Sequence, residues 1–439
     1  MKKAYFIGIA GKTMAPLAKA FKDMDWAVSG SDQKEVYPPI TDFLSQNNIA
    51  YFKEYKEENL PNDPDLVVVG RSPLLINKDN PEYKKAVFLK LNVLSYPEVI
   101  GKYLIKENSI VVAGTYAKST TTALISWILI NAGLNPSYMF GGVPVNFSDG
   151  IKISDSNFSV VEGDETPALK ESDPPKFMFY KPKFLLLTAT EYDHPEIFKT
   201  RDSYVKAFIN LVKLLPDNGV LFYDQRLVDK AVVNACKCPK IPFQTSNVKL
   251  PPSVLYKESA IRADILCTKL NIERKIIEDS IISFKGLRER NEFLGVFGGR
   301  YLFKDLSQQS SKIKSVLSLL RKQYPKNKIF VVFNPSATSL KFRENLDQYS
   351  DSFNLADQVI IGRVEFLKNV GRGERVTGSC LVKAFGGSKK VFYEPVDEKI
   401  IEFLKEKTGD GDLVVFMSSG GLRFTDLTKN IIKRLTDLS

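Results

Sequence analysis

One stretch constrains this chain more than any other: Ile110-Val111-Val112-Ala113-Gly114-Thr115-Tyr116-Ala117-Lys118-Ser119-Thr120-Thr121-Thr122. An apolar run of strand type breaks into small residues. A lysine, a hydroxyl cluster and an amphipathic helix reaching Ala132 follow, with Gly133 where a helix C-cap belongs. A strand, a tight loop and a helix N-terminus are what a nucleoside triphosphate needs. Loop N–H groups and the helix dipole face the phosphates, a lysine reaches the outer ones, and a hydroxyl holds Mg²⁺. Lys118 and Ser119 are the candidates for the last two roles, with Gly114, Thr115 and Thr120 in the cradle. The strict pattern G-x-x-x-x-G-K-[ST] is not met, because Val112 and Ala117 occupy its glycine positions. On this stretch alone, a plain βα unit with a lysine at its turn remains open.

Upstream, residues 1–107 read as a first domain. A strand over Ala4–Ile9 runs into Gly8-Ile9-Ala10-Gly11-Lys12-Thr13-Met14, and a helix follows through Phe21. A second strand, Trp26–Gly30, ends at Ser31-Asp32. Glycines at the first turn and an acid at the tip of the second strand are the layout of a dinucleotide-binding βαβ unit. Met14 stands at the third fingerprint glycine. The turn therefore suits a dinucleotide, the diphosphate of a nucleoside-diphosphate sugar, or a purely structural role. Asp65–Gly70 reads as another strand, and a helix from Tyr96-Pro97-Glu98 leads to a polar hinge, Lys106-Glu107-Asn108.

Residues 108–293 read as a central domain. Phe158–Val161 is a strand ending in Glu162-Gly163-Asp164-Glu165, and Phe184–Thr188 is one ending in Glu191-Tyr192-Asp193-His194. Three buried-type strands thus each end in a polar cluster, one of which holds the sole histidine of the chain. Ligands of a parallel sheet sit beyond the carboxyl ends of its strands, so the clusters should converge. Carboxylate, hydroxyl and imidazole beside phosphates can make a Mg²⁺ shell, drawn from Lys118/Ser119, Glu162/Asp164/Glu165 and Asp193/His194, with solvated strand-end charge as the alternative. Gly141-Gly142-Val143-Pro144-Val145-Asn146-Phe147 reads as a loop, and residues 202–290 as helical and irregular. Residues 294–439 alternate strand and helix as a second doubly wound sheet. The fold class is α/β with three domains: a Rossmann-like N-terminal domain, a P-loop central parallel sheet and a Rossmann-like C-terminal domain.

Composition narrows the function. A formal charge of +11 suits nucleic acid, polyanionic small substrates, or simply a lysine-rich proteome. No dense Lys/Arg run with interleaved aromatics speaks for nucleic acid. No run approaches the length of a transmembrane helix, and the N-terminus has no signal-peptide pattern. The four cysteines lack disulfide or zinc spacing, so a cytoplasmic protein with reduced thiols is expected.

Assembled, these motifs resemble the Mur ligase family, the ATP-dependent peptidoglycan amino-acid ligases. Ala113–Thr121 is similar to that family's phosphate loop, A-G-T-H-G-K-T-T-T. The branch holding murein peptide ligases and L-alanine-adding ligases is resembled at Val36-Tyr37-Pro38-Pro39, Gly141–Phe147, Val161–Glu165, Lys176-Phe177, Tyr180-Lys181-Pro182 and Glu191–His194. Further matches are Phe284-Lys285-Gly286, Arg290 with Glu292, Ala356-Asp357 and Met417–Gly421.

The resemblance implies an ATP-dependent amide ligase acting on UDP-N-acetylmuramate and an amino acid or peptide acceptor, through an acyl phosphate. By position, Lys118 and Ser119 bind triphosphate and Mg²⁺, Glu162 ligates Mg²⁺, and His194 sits at a second Mg²⁺. Arg290 contacts ATP phosphate and Asp305 the ribose, while Gly8, Gly11, Lys12, Thr13, Met14 and Asp32 face the UDP part. The catalytic set is Lys118, Glu162 and His194. Departures are Ala117 for the loop glycine, Tyr116 for the histidine before it, and Lys304–Ser311 for D-D-F-A-H-H-P-T. The asparagines of the adenine segment are missing near Tyr256–Ile261, and an acceptor arginine is missing near Phe333–Ser336. They keep open a non-catalytic relative that binds UDP-muramoyl compounds or ATP.

Overall fold

The computed structural model describes residues 1–36, 40–194, 197–243, 256–336, 340, 343–364, 375–387, 390–418 and 422–436. Parts of the Val36–Pro39 and Met417–Gly421 motifs, and the stretch between Phe243 and Pro251 where the family resemblance implies that strands of the central domain are missing, lie outside the described residues. The chain divides into two compact units that meet in sequence between Gly286 and Leu287.

The first unit carries two sheets. One is wholly parallel, in the spatial order Tyr51–Lys53, Ala27–Asp32, Lys3–Ile7, Leu66–Val69, Val93–Ser95. Along Lys3–Ile7, Ala4 and Phe6 enter one core while Tyr5 and Ile7 enter another, the two-sided burial of a parallel strand. The edge strands Tyr51–Lys53 and Val93–Ser95 have three residues each. They are too short to leave a periodic signature in the sequence. Helix Tyr96–Val99 starts on a capping box between Ser95 and Glu98 and passes into a π-helical turn, Ile100–Leu104.

The second sheet runs Lys240–Pro242, Val220–Tyr223, Phe184–Leu187, Asn108–Ala113, Phe158–Gly163, Ser137–Met139, Ile151–Lys152, and only the last strand is antiparallel. Val220–Tyr223 and Lys240–Pro242 correct the reading of residues 202–290 as helical and irregular. The apolar strands of four and three residues were hidden among helical segments. A two-residue strand, Val143–Pro144, interrupts the loop expected over Gly141–Phe147. Helix Lys118–Asn131 is buried at nine positions rather than along one stripe. Helices Lys257–Lys269 and Arg274–Ser283 pack on it and cover its outer side. Gly133, with φ +76°, ends it in the left-handed conformation that Gly adopts freely. One continuous core joins both sheets of this unit.

The second unit has six strands in the order Glu292–Phe297, Arg300–Asp305, Leu413–Met417, Ile329–Phe333, Gln358–Ile361, Val391–Tyr393. The first two form an antiparallel hairpin and the rest run parallel. On the central strand, Leu413, Val415 and Met417 face one core with helix Ser310–Gln323, while Val414 and Phe416 face another with helices Asp397–Lys407 and Leu422–Thr436. Among the described residues, no helix is long and apolar enough to cross a membrane.

Candidate functional site

Strands Phe158–Gly163 and Phe184–Leu187 pair on either side of Asn108–Ala113, all parallel, so their carboxyl ends open on one crevice. The phosphate loop leaves the middle strand there. Gly114 (φ +131°) lies so close to the neighbouring strand end that a Cβ would fall 2.3 Å from Thr188 Oγ1. Thr188 donates that hydroxyl to Tyr116 O (2.7 Å), and the Thr115 N–H bonds Ala189 O (3.1 Å). Thr115 Oγ1 donates to Glu191 O (2.7 Å). Gly114 and Thr115 therefore clamp the loop to the sheet, and the buried Thr115 side chain is turned inward. Ala117 takes the left-handed conformation (φ 60°) that the usual glycine would supply, and helix Lys118–Asn131 starts directly after it.

Lys118 is enclosed and acidic groups surround it. Its Nζ lies 2.8 Å from Glu165 Oε2, and Glu165 is only 1% exposed. Burial alone would lower the Lys118 ammonium, but Glu165, Asp164 and Glu162 together hold it above its ordinary value. Asp164 shows the converse. Burial pushes its carboxyl up, yet Lys176 (Nζ to Oδ2, 2.7 Å) and Lys118 outweigh that and hold it well below the usual range.

Around this lysine the carboxylates form two groups. Glu162 Oε2 accepts the Gly141 N–H at 2.7 Å. A Cβ placed on Gly141 would lie 3.5 Å from that oxygen and 3.9 Å from Ser119 Oγ, so Glu162 and Ser119 look onto the same spot. Glu165, Asp193 and His194 form the other group, each with a ligand atom within 4.8 Å of the others. His194 Nε2 is 3.7 Å from Glu165 Oε1. Asp193 Oδ2 is buried and accepts no hydrogen bond. A buried carboxylate oxygen without a donor suits a cation, and oxygens with one imidazole suit a divalent one. His194 thus stands on the phosphate-loop side of the sheet, joined to Lys118 through Glu165.

The first sheet holds a second concavity, a cavity of about 300 Å³. Gly8, Gly11, Lys12, Thr13, Met14 and Asp32 all line it. Gly8 (φ +87°) turns so tightly against the next strand's exit that a Cβ would sit 2.5 Å from Pro73 Cγ. Asp32 is committed to the protein: Oδ2 accepts the Ala10 N–H (2.7 Å), and Oδ1 accepts the Gln33 N–H (2.8 Å) and the Tyr55 hydroxyl (3.2 Å). Arg71, Tyr96 and Lys176 complete the wall.

Two expected nucleotide residues, Asp305 and Arg290, fall in the second unit. Asp305 is 3% exposed; it takes the Ser307 N–H and hydroxyl on one oxygen and the Asn291 N–H (2.7 Å) on the other. A ribose hydroxyl would have to share an oxygen already bonded. Arg290 Nε is buried without a hydrogen-bond partner.

Residues 3–107 match the sequence model of the Mur ligase family, catalytic domain. Across its length the chain is 27% identical to the UDP-N-acetylmuramate–L-alanine ligase of Acetivibrio thermocellus, covering 95% of this chain and 93% of that one. It is 25% identical to the UDP-N-acetylmuramate–L-alanyl-γ-D-glutamyl-meso-2,6-diaminoheptandioate ligase of Escherichia coli, covering 95% of each. The chain is thus similar to Mur ligases over almost its whole length. Its fold agrees with that of MurC from Thermotoga maritima, a UDP-N-acetylmuramate–alanine ligase, at a TM-score of 0.73, 17% identity and full coverage of both chains. Reading by sequence motif alone left Glu165 and Asp193 without a role, although both lie within quoted motifs. Their burial beside Lys118 and His194 is the signal that the sequence lacked. Arg71 and Lys176 were missed as cavity residues because they arrive from separate strands and loops.

Proposed function

We infer that this chain is a Mur ligase, an ATP-dependent carbon–nitrogen ligase that joins an amino acid or peptide to the carboxylate of UDP-N-acetylmuramate, in peptidoglycan precursor synthesis or recycling. The observation that carries the reading is Lys118 at the head of its helix, paired with Glu165, which in turn groups with Asp193 and His194 where three parallel strands end. Kinship over almost the whole chain supports it. In this reading residues 1–107 hold the UDP sugar, residues 108–293 the ATP, and residues 294–439 the acceptor.

The muramoyl carboxylate attacks the γ-phosphorus of ATP, which gives an acyl phosphate and ADP. The acceptor amine then displaces inorganic phosphate, forms the amide and gives up a proton. Lys118 holds the outer phosphates, with the loop and Thr120 beside it. Ser119 and Glu162 are suited to hold one Mg²⁺, and Glu165, Asp193 and His194 a second. Bound there, Mg²⁺ neutralises charge on the phosphoryl group in flight. Phosphate release from ATP should require UDP-N-acetylmuramate and one member of a panel running from L-alanine to cell-wall tripeptide. Absence of release across the panel, with ATP still bound, would favour a second reading, a non-catalytic binding protein. Two features favour that alternative: Lys118 is already paired with Glu165, and the Asp305 carboxylate is already bonded.

A further inference from the structure

The first sheet reverses its winding between Lys3–Ile7 and Leu66–Val69, the strands that lead into Gly8 and into Gly70-Arg71. Ligands of open parallel sheets settle at such a reversal. The cavity lies there, with the Gly8–Met14 turn on one wall and Gly70–Pro73 on the other. In a dinucleotide site the third glycine lets a diphosphate approach the helix start. Here Met14 fills that corner: it is 4% exposed, and a Cβ on Gly70 would lie 3.5 Å from its Cγ. The helix behind it has no side-chain cap and no glycine at that position.

Two of the cavity's charges, Lys176 and Asp32, are engaged within the protein, while Lys12 stands in the turn on the first wall. Lys176 donates to Asp164 Oδ2 (2.7 Å) and Thr166 Oγ1 (2.8 Å). Asp32 is held by two backbone N–H groups and Tyr55. Arg71 differs: its Nε is fully buried yet makes no hydrogen bond. A buried donor without an acceptor destabilises the empty protein, and an arriving acceptor removes that penalty. A guanidinium fork fits phosphate oxygens two at a time.

We propose that Arg71 clamps the diphosphate of the nucleotide sugar and sets this cavity's preference for a diphosphate-bridged ligand. The proposal rests on the reading of the cavity as the UDP-sugar site. Arg71 supplies a cation from the second wall, in addition to Lys12 on the first.

Calorimetry on the full chain tests it with Arg71→Met and Arg71→Lys. Arg71→Met should weaken UDP and UDP-N-acetylmuramate roughly 10- to 100-fold, the scale of a lost charge-assisted contact, and leave uridine unchanged. Arg71→Lys should recover part of the loss. The unliganded melting temperature of Arg71→Met should not fall, because an unpaired buried donor has been removed. Equal affinity of wild type and Arg71→Met for UDP-N-acetylmuramate overturns the proposal and leaves the ligase reading intact. Equal losses for uridine and UDP overturn it as well. If the wild type binds no UDP sugar, the reading of the cavity fails, and inorganic diphosphate becomes the probe. Binding to wild type but not to Arg71→Met then supports the clamp, and any other result overturns it.

Discussion

Lys118 and Glu165 form a pair whose two functions can be separated. Glu165 is almost fully buried, and its Oε2 is 2.8 Å from the lysine. Breaking a buried pair by removing one partner leaves an uncompensated charge and costs about 3–5 kcal/mol. Lys118→Ala should therefore destabilise the protein on that scale by chemical denaturation and also weaken ATP by about 1.5–3 kcal/mol. The double variant Lys118→Met/Glu165→Gln should regain most of the stability but not the ATP affinity. If ATP affinity returns with stability, Lys118 acts on the fold and not on the phosphates. Glu162 makes the opposite case. Its Oε2 accepts one backbone N–H, from Gly141, and a glutamine oxygen can accept the same bond. Glu162→Gln should leave the melting temperature nearly unchanged and abolish phosphate release; full turnover in that variant would remove Glu162 from the metal site.

At the scale of elements, the phosphate loop shows why so much of the site was legible. An apolar run, small residues, then Lys118 and hydroxyls can only be a strand, a turn and a helix start. The polar clusters ending Phe158–Gly163 and Phe184–Leu187 had to meet once those strands flanked it. Less legible was the direction of individual groups. Thr115 carries the loop's hydroxyl pattern but donates to Glu191 O, inside the sheet. Asp305 lies in a motif of the family and caps its own turn. Hydrogen bonds to backbone atoms far along the chain leave no mark in the sequence. The hairpin Glu292–Phe297 with Arg300–Asp305 and the short edge strands were missed for a related reason, since their pairing is decided by neighbours and not by local pattern. Ala117 is where local rule and structure disagree, an alanine at φ 60°. Left-handed backbone costs a non-glycine residue about 1–2 kcal/mol, partly offset by the greater unfolded-state freedom of glycine. Ala117→Gly should raise stability by roughly 0.5–1 kcal/mol by denaturant titration; a loss would mean that the methyl group packs usefully in the loop.

The whole molecule is two units, each with its own sheets and cores. Residues 287–439 hold six strands with apolar cores on both faces, enough for a domain to fold alone. Expressed as a fragment, this unit should melt cooperatively; a non-cooperative melt would show that it depends on the rest of the chain. Ligand linkage then identifies what the first sheet binds. A ligand that binds only the native state stabilises it by RT ln(1 + [L]/Kd), about 2.7 kcal/mol at one hundred times Kd. NAD recognition by a βαβ unit relies on a free acid at the second strand's tip and an open glycine corner. Here Asp32 is tied to Ala10, Gln33 and Tyr55, and Met14 closes the corner. A UDP sugar needs neither feature and gains from the cations lining the cavity, Lys12, Arg71 and Lys176. At equal concentration UDP-N-acetylmuramate should raise the melting temperature of the full chain by a few degrees, and NAD should raise it less. The fragment 287–439 lacks that cavity and should respond to neither. A larger shift with NAD would make the first domain a dinucleotide site and remove the muramoyl substrate from the reaction. A shift in the fragment would place the sugar nucleotide elsewhere in the chain.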